Sequence, residues 1–266
     1  MKKYIFMAVA GMLALSSCSN DDNDEPSVQN DSEQMTFTAS FSDYAQTRAS
    51  LYNNMKKVKF DAFDMISIFS EKNTNMLFTT ELGGASATFT GTATPDSKFY
   101  AVYPFKAGYT FNRSTGVISG VLIPNDQSAA ATSDCGWDDG SAIAYATTTG
   151  SSLKFHNACA LLKVTNNVDA TAQIVVKADN YNVAGTFELN TETGALTETS
   201  GQYEVIVNDV PYNKTIYIAI KPGAATGYIA TWVAGGTTRA KARNTSFTFE
   251  AGKIYDMGKA SDWPVM

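Results

Sequence analysis

The chain has a single histidine, His156, in 266 residues. A Ser-His-Asp or Cys-His catalytic set needs a base beside its nucleophile and a third group that orients the base. No G-x-S-x-G elbow accompanies His156, which reads as a structural residue at the end of a strand pattern. Cysteine is nearly as scarce: Cys18, Cys135 and Cys159 are the whole supply. With one histidine they make no four-ligand zinc cage. Asp134, Asp138 and Asp139 around Trp137 do not match the spacing of a D-x-D-x-D-G calcium loop, so no metal site is expected. Gly83-Gly84 and Gly235-Gly236 sit between strand patterns and open no helix, so no phosphate-cradling loop and no cofactor are expected. No apolar run reaches the roughly 20 residues of a membrane-spanning helix. Positive charge is not in excess, with 20 Lys and Arg against 26 Asp and Glu. That balance offers no footprint for nucleic acid and no basic patch for anionic lipid. An enzyme is therefore not the expectation. A surface glycosidase would need two carboxylates roughly 5–9.5 Å apart across a cleft, which sequence alone neither supports nor removes.

What is present begins at the N-terminus. Lys2 and Lys3 precede a short apolar stretch, Tyr4 to Leu15, and then Leu15-Ser16-Ser17-Cys18. This is the layout of an export signal. Leu-Ser-Ser-Cys also resembles a bacterial lipobox, which makes 1–17 a lipoprotein signal peptide and Cys18 the lipidation site. Residues 18–34 carry Asp21, Asp22, Asp24, Glu25, Asp31 and Glu33 with no Lys or Arg. So polar a segment cannot offset its ordering entropy and is expected to be a flexible acidic tether. The remaining body is close to neutral. An exported chain meets an oxidising compartment, so Cys135 and Cys159 either form one disulfide or act as two small buried hydrophobes.

From Met35 the pattern becomes that of strands. Met35, Phe37, Ala39 and Phe41 alternate with Thr36, Thr38, Ser40 and Ser42, a period of two. Further short runs follow, among them Val58–Phe63, Met65–Phe69, Met76–Thr80, Lys98–Tyr103 and Gly116–Leu122, separated by Gly, Pro and Asn-Asp turn chemistry. A second set starts at Leu153 and runs to Lys253–Gly258. Residues 125–140 read as a surface loop. Thr, Ser, Gly, Ala, Tyr and Phe are abundant, while charged residues make up only 17%. The composition and the many short strands predict an all-β chain of sandwiches or barrels. The expected boundaries are an N-terminal domain at 35–152 and a C-terminal domain at 153–266. Tyr100, Tyr103, Phe105, Tyr109 and Phe111 read as β-core aromatics ahead of a carbohydrate-stacking face.

Several blocks, in order, resemble the bacterial fimbrillin family. They are Thr47-Arg48-Ala49-Ser50, Asp64-Met65-Ile66-Ser67-Ile68-Phe69, Phe99-Tyr100-Ala101-Val102-Tyr103-Pro104, Leu122-Ile123-Pro124-Asn125-Asp126-Gln127, Leu153-Lys154-Phe155-His156-Asn157 and Phe249-Glu250-Ala251-Gly252-Lys253-Ile254-Tyr255. The family often carries a tryptophan before the Asp-x-Ile-x-Ile-Phe strand, and here Phe60 or Phe63 stands near that place. The resemblance implies a type V pilin-like lipoprotein precursor with two transthyretin-like β-sandwich domains in tandem. It implies cutting by an arginine-specific surface protease between Arg48 and Ala49, and polymerisation with other pilin subunits by strand exchange in support of adhesion. The precursor would sit in the outer membrane through its lipid, and the assembled subunit in surface fimbriae. Cleavage would release Met35–Phe41 and bare a groove that another subunit's strand fills by β-augmentation. The C-terminal segment is the candidate donor, with Ile254, Met257, Trp263 and Val265 as anchors. The rival expectation is a lipid-anchored surface lipoprotein that binds carbohydrate or protein ligands, or anchors a pilus, without polymerising.

Overall fold

The computed structural model describes residues 31–42, 51–52, 57–129, 140–168 and 171–266. The signal peptide, Cys18, Arg48, Ala49, Cys135 and the Asp134–Asp139 cluster lie outside these residues. Among the described residues the fold is all-β, as the composition predicts, with a single 3-10 turn at Ala260–Asp262.

The first half supplies β1 (Glu33–Phe41), β2 (Leu51–Tyr52), β3 (Lys57–Val58), β4 (Met65–Phe69), β5 (Met76–Thr79), β6 (Ser86–Ala93), β7 (Phe99–Tyr103), β8 (Thr110–Asn112), β9 (Val117–Ile123), β10 (Asp126–Ser128), β11 (Ala144–Thr148) and β12 (Ser152–Asn157). Seven of these close on themselves in the order β1-β12-β11-β7-β4-β5-β6. Alternation decides what goes inside. Phe37, Ala39, Ile66, Ile68, Phe78, Phe89, Phe99, Ala101, Tyr103, Leu153 and Phe155 fill the barrel core. Phe69 and Val102, one position out of phase on β4 and β7, belong to a second core instead.

The second half adds β13 (Ala160–Thr165), β14 (Thr171–Ala178), β15 (Ala184–Asn190), β16 (Leu196–Gln202), β17 (Glu204–Pro211), β18 (Thr215–Ile220), β19 (Gly223–Ala225), β20 (Tyr228–Ala234), β21 (Thr237–Arg243), β22 (Phe247–Phe249) and β23 (Ile254–Lys259). They form sheets in the orders β10-β17-β14-β20-β21, β18-β13-β23, β16-β15-β9-β8 and β19-β22. Val164, Ile174, Phe187, Val205, Ile218 and Trp232 are among the buried side chains of this second core.

Strand pairing crosses the expected boundary at 152/153. β9 pairs with β15 and β10 with β17, so strands from the first half complete sheets of the second. β12 begins at Ser152 and closes the barrel against β1. Residues Asp31–Met266 form one compact unit. The reason is topological: closing the barrel needs a seventh strand, and the nearest segment after β11 supplies it. Three local expectations also change. β1 starts at Glu33, inside the segment read as tether, because Glu33 and Gln34 pair with Ala93 and Thr92. The run Val58–Phe63 is not one strand; Asp64 N–H donates to Asp61 O in a turn that puts Phe63 at φ 67°. Asp126–Ser128 is a strand rather than loop, held by Gln127. That buried side chain donates through Nε2 to Pro124 O (3.0 Å) and Ala219 O (2.8 Å) and accepts from Ala219 N–H (3.0 Å).

Candidate functional site

The site is the seat of β1. Along its length β1 runs antiparallel to β6, from Glu33↔Ala93 to Ser40↔Ser86. Its C-terminal half also runs parallel to β12, from Thr38↔Ser152 to Phe41↔Phe155. Thr38 N–H donates to Ser151 O (2.8 Å) and Ser42 N–H to Phe155 O (2.9 Å), which seals that side. The exposed residues Thr36 and Thr38 face out, and Phe37 and Ala39 are buried. The Phe37 ring meets Phe78 (5.4 Å, 62°) and Phe99 (5.1 Å, 70°) edge to face, the arrangement that aromatic quadrupoles favour.

Phe60 is the residue whose role the sequence left open. It is fully buried, and its backbone bridges Gly84 through two hydrogen bonds of 2.8 Å. A Cβ at the neighbouring Gly83 would come within 2.3 Å of Phe60 O, so glycine is what allows this approach. Phe60 stacks on Phe41 at 4.6 Å and 28°, and its ring also meets Phe89 and Tyr103. The two rings that bracket the Arg48-containing segment therefore touch. The chain leaves the barrel at Phe41 and re-enters it beside the same ring.

At the other end of the chain, the donor candidates are engaged within their own subunit. β23 runs parallel to β13, from Leu161↔Ile254 to Thr165↔Lys259 with a bulge after Lys163. Ile254 is half-buried, while Met257 and Trp263 are buried. Trp263 Nε1–H donates to Met257 O at 2.9 Å. The tail then lies along the outer edge of β21: Ala240 N–H donates to Pro264 O and Met266 N–H to Thr238 O, both at 2.9 Å. Val265 is exposed. Lys163 Nζ donates to Asp256 Oδ2 (2.9 Å), and this bond, set against partial burial, holds the Asp256 carboxyl below its usual range.

The remaining sequence candidates resolve into packing. Tyr103 and Tyr109 are buried, and Tyr100 packs on Phe111 at 5.1 Å. His156 is exposed on β12 beside Tyr145. Cys159 is a free, buried thiol, and burial pushes it up to about 12. Its Sγ accepts the Ile143 N–H at 3.4 Å. Among the described residues, no group of three His, Cys, Asp or Glu side chains is placed to hold a metal ion.

No family model matches the chain. No curated protein matches it in sequence. Solved structures do. A Bacteroides uniformis protein provisionally described as a cell adhesion protein aligns over 87% of this chain and 95% of its own, at 17% identity and TM-score 0.56. A Bacteroides ovatus protein of the same provisional description aligns over 88% and 95%, at 12% identity and TM-score 0.57. The likeness is one of fold. It covers the barrel and the second core together, so this arrangement of strands is shared well beyond recognisable sequence.

Proposed function

We propose that the chain is a structural subunit of surface fimbriae, with no catalytic role, whose β1 seat accepts a strand from another subunit. The reading includes export as an outer-membrane lipoprotein through Cys18, cutting between Arg48 and Ala49 by an arginine-specific surface protease, and a role in adhesion. It keeps the tandem transthyretin-like description for the two cores. The observation that carries it is the bracketing of Arg48 by β1, which ends at Phe41, on one side and by Phe60, whose ring stacks on Phe41, on the other. A cut there frees β1 from the rest of the chain while Phe60 stays anchored to Gly84. Loss of β1 would leave the facing edges of β6 and β12 with unpaired backbone groups and uncover the Phe78 and Phe99 rings. Bare edges over an apolar slot recruit strands. The provisional cell-adhesion descriptions of the Bacteroides neighbours are in keeping with this role.

The test is digestion of the purified chain with an arginine-specific protease. The reading expects a new N-terminus at Ala49 and a ladder of multimers on gels run without boiling. A chain that resists cutting at Arg48 and stays monomeric supports the second reading, a lipid-anchored ligand-binding lipoprotein or pilus anchor; one that is cut at Ala49 and stays monomeric overturns assembly by strand exchange. One observation favours that second reading: Met257 and Trp263, candidate donor anchors, are buried in their own subunit.

A further inference from the structure

Away from the β1 seat, three side chains of the second half form a closed arrangement that the proposed function does not use. Asn182 follows β14, Glu198 lies on β16 and Lys221 follows β18. The Glu198 carboxylate bridges the other two. Asn182 Nδ2–H donates to Oε1 at 2.6 Å, and Lys221 Nζ donates to Oε2 at 3.2 Å. The backbones are already side by side, because Lys221 N–H donates to Val183 O at 2.8 Å. The Lys221 side chain is 16% exposed, and the Glu198 carboxylate that joins the two lies at the solvent edge of the cluster, 31% exposed. Its Nζ lies 4.8 Å from the centre of the Tyr181 ring and 5.6 Å from that of Phe187. Burial, aided by the Glu198 charge, pushes the Tyr181 hydroxyl well above its ordinary range.

Two details distinguish this cluster from a surface ion pair. The carboxamide oxygen of Asn182, Oδ1, is buried with no hydrogen-bond partner. A buried acceptor left unpaired is costly, and this one belongs to the carboxamide whose Nδ2 is already held by Glu198. The cluster is also built around a missing side chain: a Cβ on Gly201 would fall 1.9 Å from Asn182 Nδ2 and 2.4 Å from Glu198 Oε1.

We propose that Lys221 and Asn182 join in an intramolecular amide bond, with Glu198 as the proton carrier. Glu198 takes one proton from the Lys221 ammonium, which frees the amine lone pair. The amine attacks Cγ of Asn182, and the Glu198 acid gives its proton to Oδ1 as the tetrahedral centre forms. Glu198 then moves a second proton from the new bond's nitrogen to Nδ2. The Cγ–Nδ2 bond breaks as the carbonyl re-forms, and ammonia departs with the hydroxyl proton as ammonium. An ammonium side chain and a carboxamide become a secondary amide and an ammonium ion, and the carboxylate is regenerated. No oxidant, reductant or cofactor enters the balance. Holding amine, carboxamide and proton carrier together makes the step intramolecular, where proximity is most effective.

The test is mass spectrometry of the purified full chain after digestion at lysine, arginine and glutamate. Cuts at Lys177, Glu188 and Lys214 place Asn182 and Lys221 in separate, non-adjacent fragments. The expected result is a branched fragment containing both, with the summed mass less one ammonia. Glu198→Gln, which keeps a hydrogen-bonding side chain, and Lys221→Arg, which keeps the charge without a nucleophilic amine, should each abolish it. Finding only the separate fragments from the unaltered chain overturns the proposal. So does a branched fragment that has lost water instead, or one formed to the same extent by Glu198→Gln.

Discussion

Phe37→Ala is the perturbation that most directly reads the energy of the β1 seat. The ring is 1% exposed and touches Phe78 and Phe99 edge to face. Truncating a buried phenylalanine removes its transfer energy and leaves a cavity, which together cost about 3–5 kcal/mol. The matched control is Thr38→Ala, one residue on and on the exposed face of the same strand. It should lie within about 0.5 kcal/mol of the unaltered chain. Urea unfolding of the uncut chain measures both. Phe37→Ala should lower the midpoint at unchanged slope, because a shift without a slope change is a change in stability alone. After a cut at Arg48, β1 is held only by its ladder and its inward side chains. A loss of about 4 kcal/mol weakens that retention on the order of a thousandfold, at 1.4 kcal/mol per factor of ten. Nicked Phe37→Ala should therefore shed the β1 fragment on size exclusion under conditions where the nicked parent keeps it. Equal urea midpoints for Phe37→Ala and Thr38→Ala, or equal shedding by the two nicked chains, would refute the claim that the inward face of β1 holds the seat closed.

Gln127→Leu should destabilise the chain by about 1–3 kcal/mol in urea unfolding, since it removes the partner of Ala219 N–H in a buried setting. Asp256→Asn tests the tail pair. The folded-state pKa of Asp256 is depressed, chiefly by the Lys163 hydrogen bond, from an ordinary value of 3.8. Its contribution is present above that value and is lost as pH falls through the lower folded one, so parent and variant should converge in stability in acid. Cys159 runs the other way. Its thiol is raised from 9.0 to about 12, so its contribution is full below pH 9 and declines between those two values as the unfolded thiol ionises first. Iodoacetamide followed at the Cys159 peptide near neutral pH should label it only as fast as the chain unfolds; rapid labelling of the folded protein would contradict its burial.

How much of this was legible in the sequence depends on whether a strand buries one face. Met35, Phe37, Ala39 and Phe41 alternate with polar residues because β1 has a core side and a solvent side, and the period of two shows directly. β16, Leu-Thr-Glu-Thr-Ser-Gly-Gln, has no buried residue along its length, and β21, Thr-Thr-Arg-Ala-Lys-Ala-Arg, is likewise without one. Neither carries a hydrophobic period, so both escape pattern reading. Asp126–Ser128 is polar at every position, and its placement rests on two hydrogen bonds between Gln127 and Ala219, 92 positions away along the chain. Pairing across 152/153 escapes for the same reason. Barrel closure by β12 is a nonlocal choice, and no composition shift marks it. Asn182, Glu198 and Lys221 are each ordinary residues in their local sequence; only the fold makes them neighbours.

The two ends of the chain are bound in unlike ways, and the difference bears on how the proposed assembly proceeds. β1 is tied covalently to the barrel only through the segment between Phe41 and Phe60, so one cut leaves it held by noncovalent contacts alone, and its removal leaves the other six barrel strands connected. β23 has no such release point. To donate, it must leave β13, withdraw Met257 and Trp263 from the second core and strip the edge of β21, each a cost inside its own subunit. An incoming strand at the β1 seat regains about the same ladder that β1 gave up, so acceptance is close to an even exchange. Donation is even only if something refills the slot beside β13. In the proposed assembly, acceptance would therefore precede donation. A chain that has been cut and has taken up a neighbour's strand while its own β23 stays in place would sit at an end of a polymer, and unlocking β23 is the step that would allow growth past it.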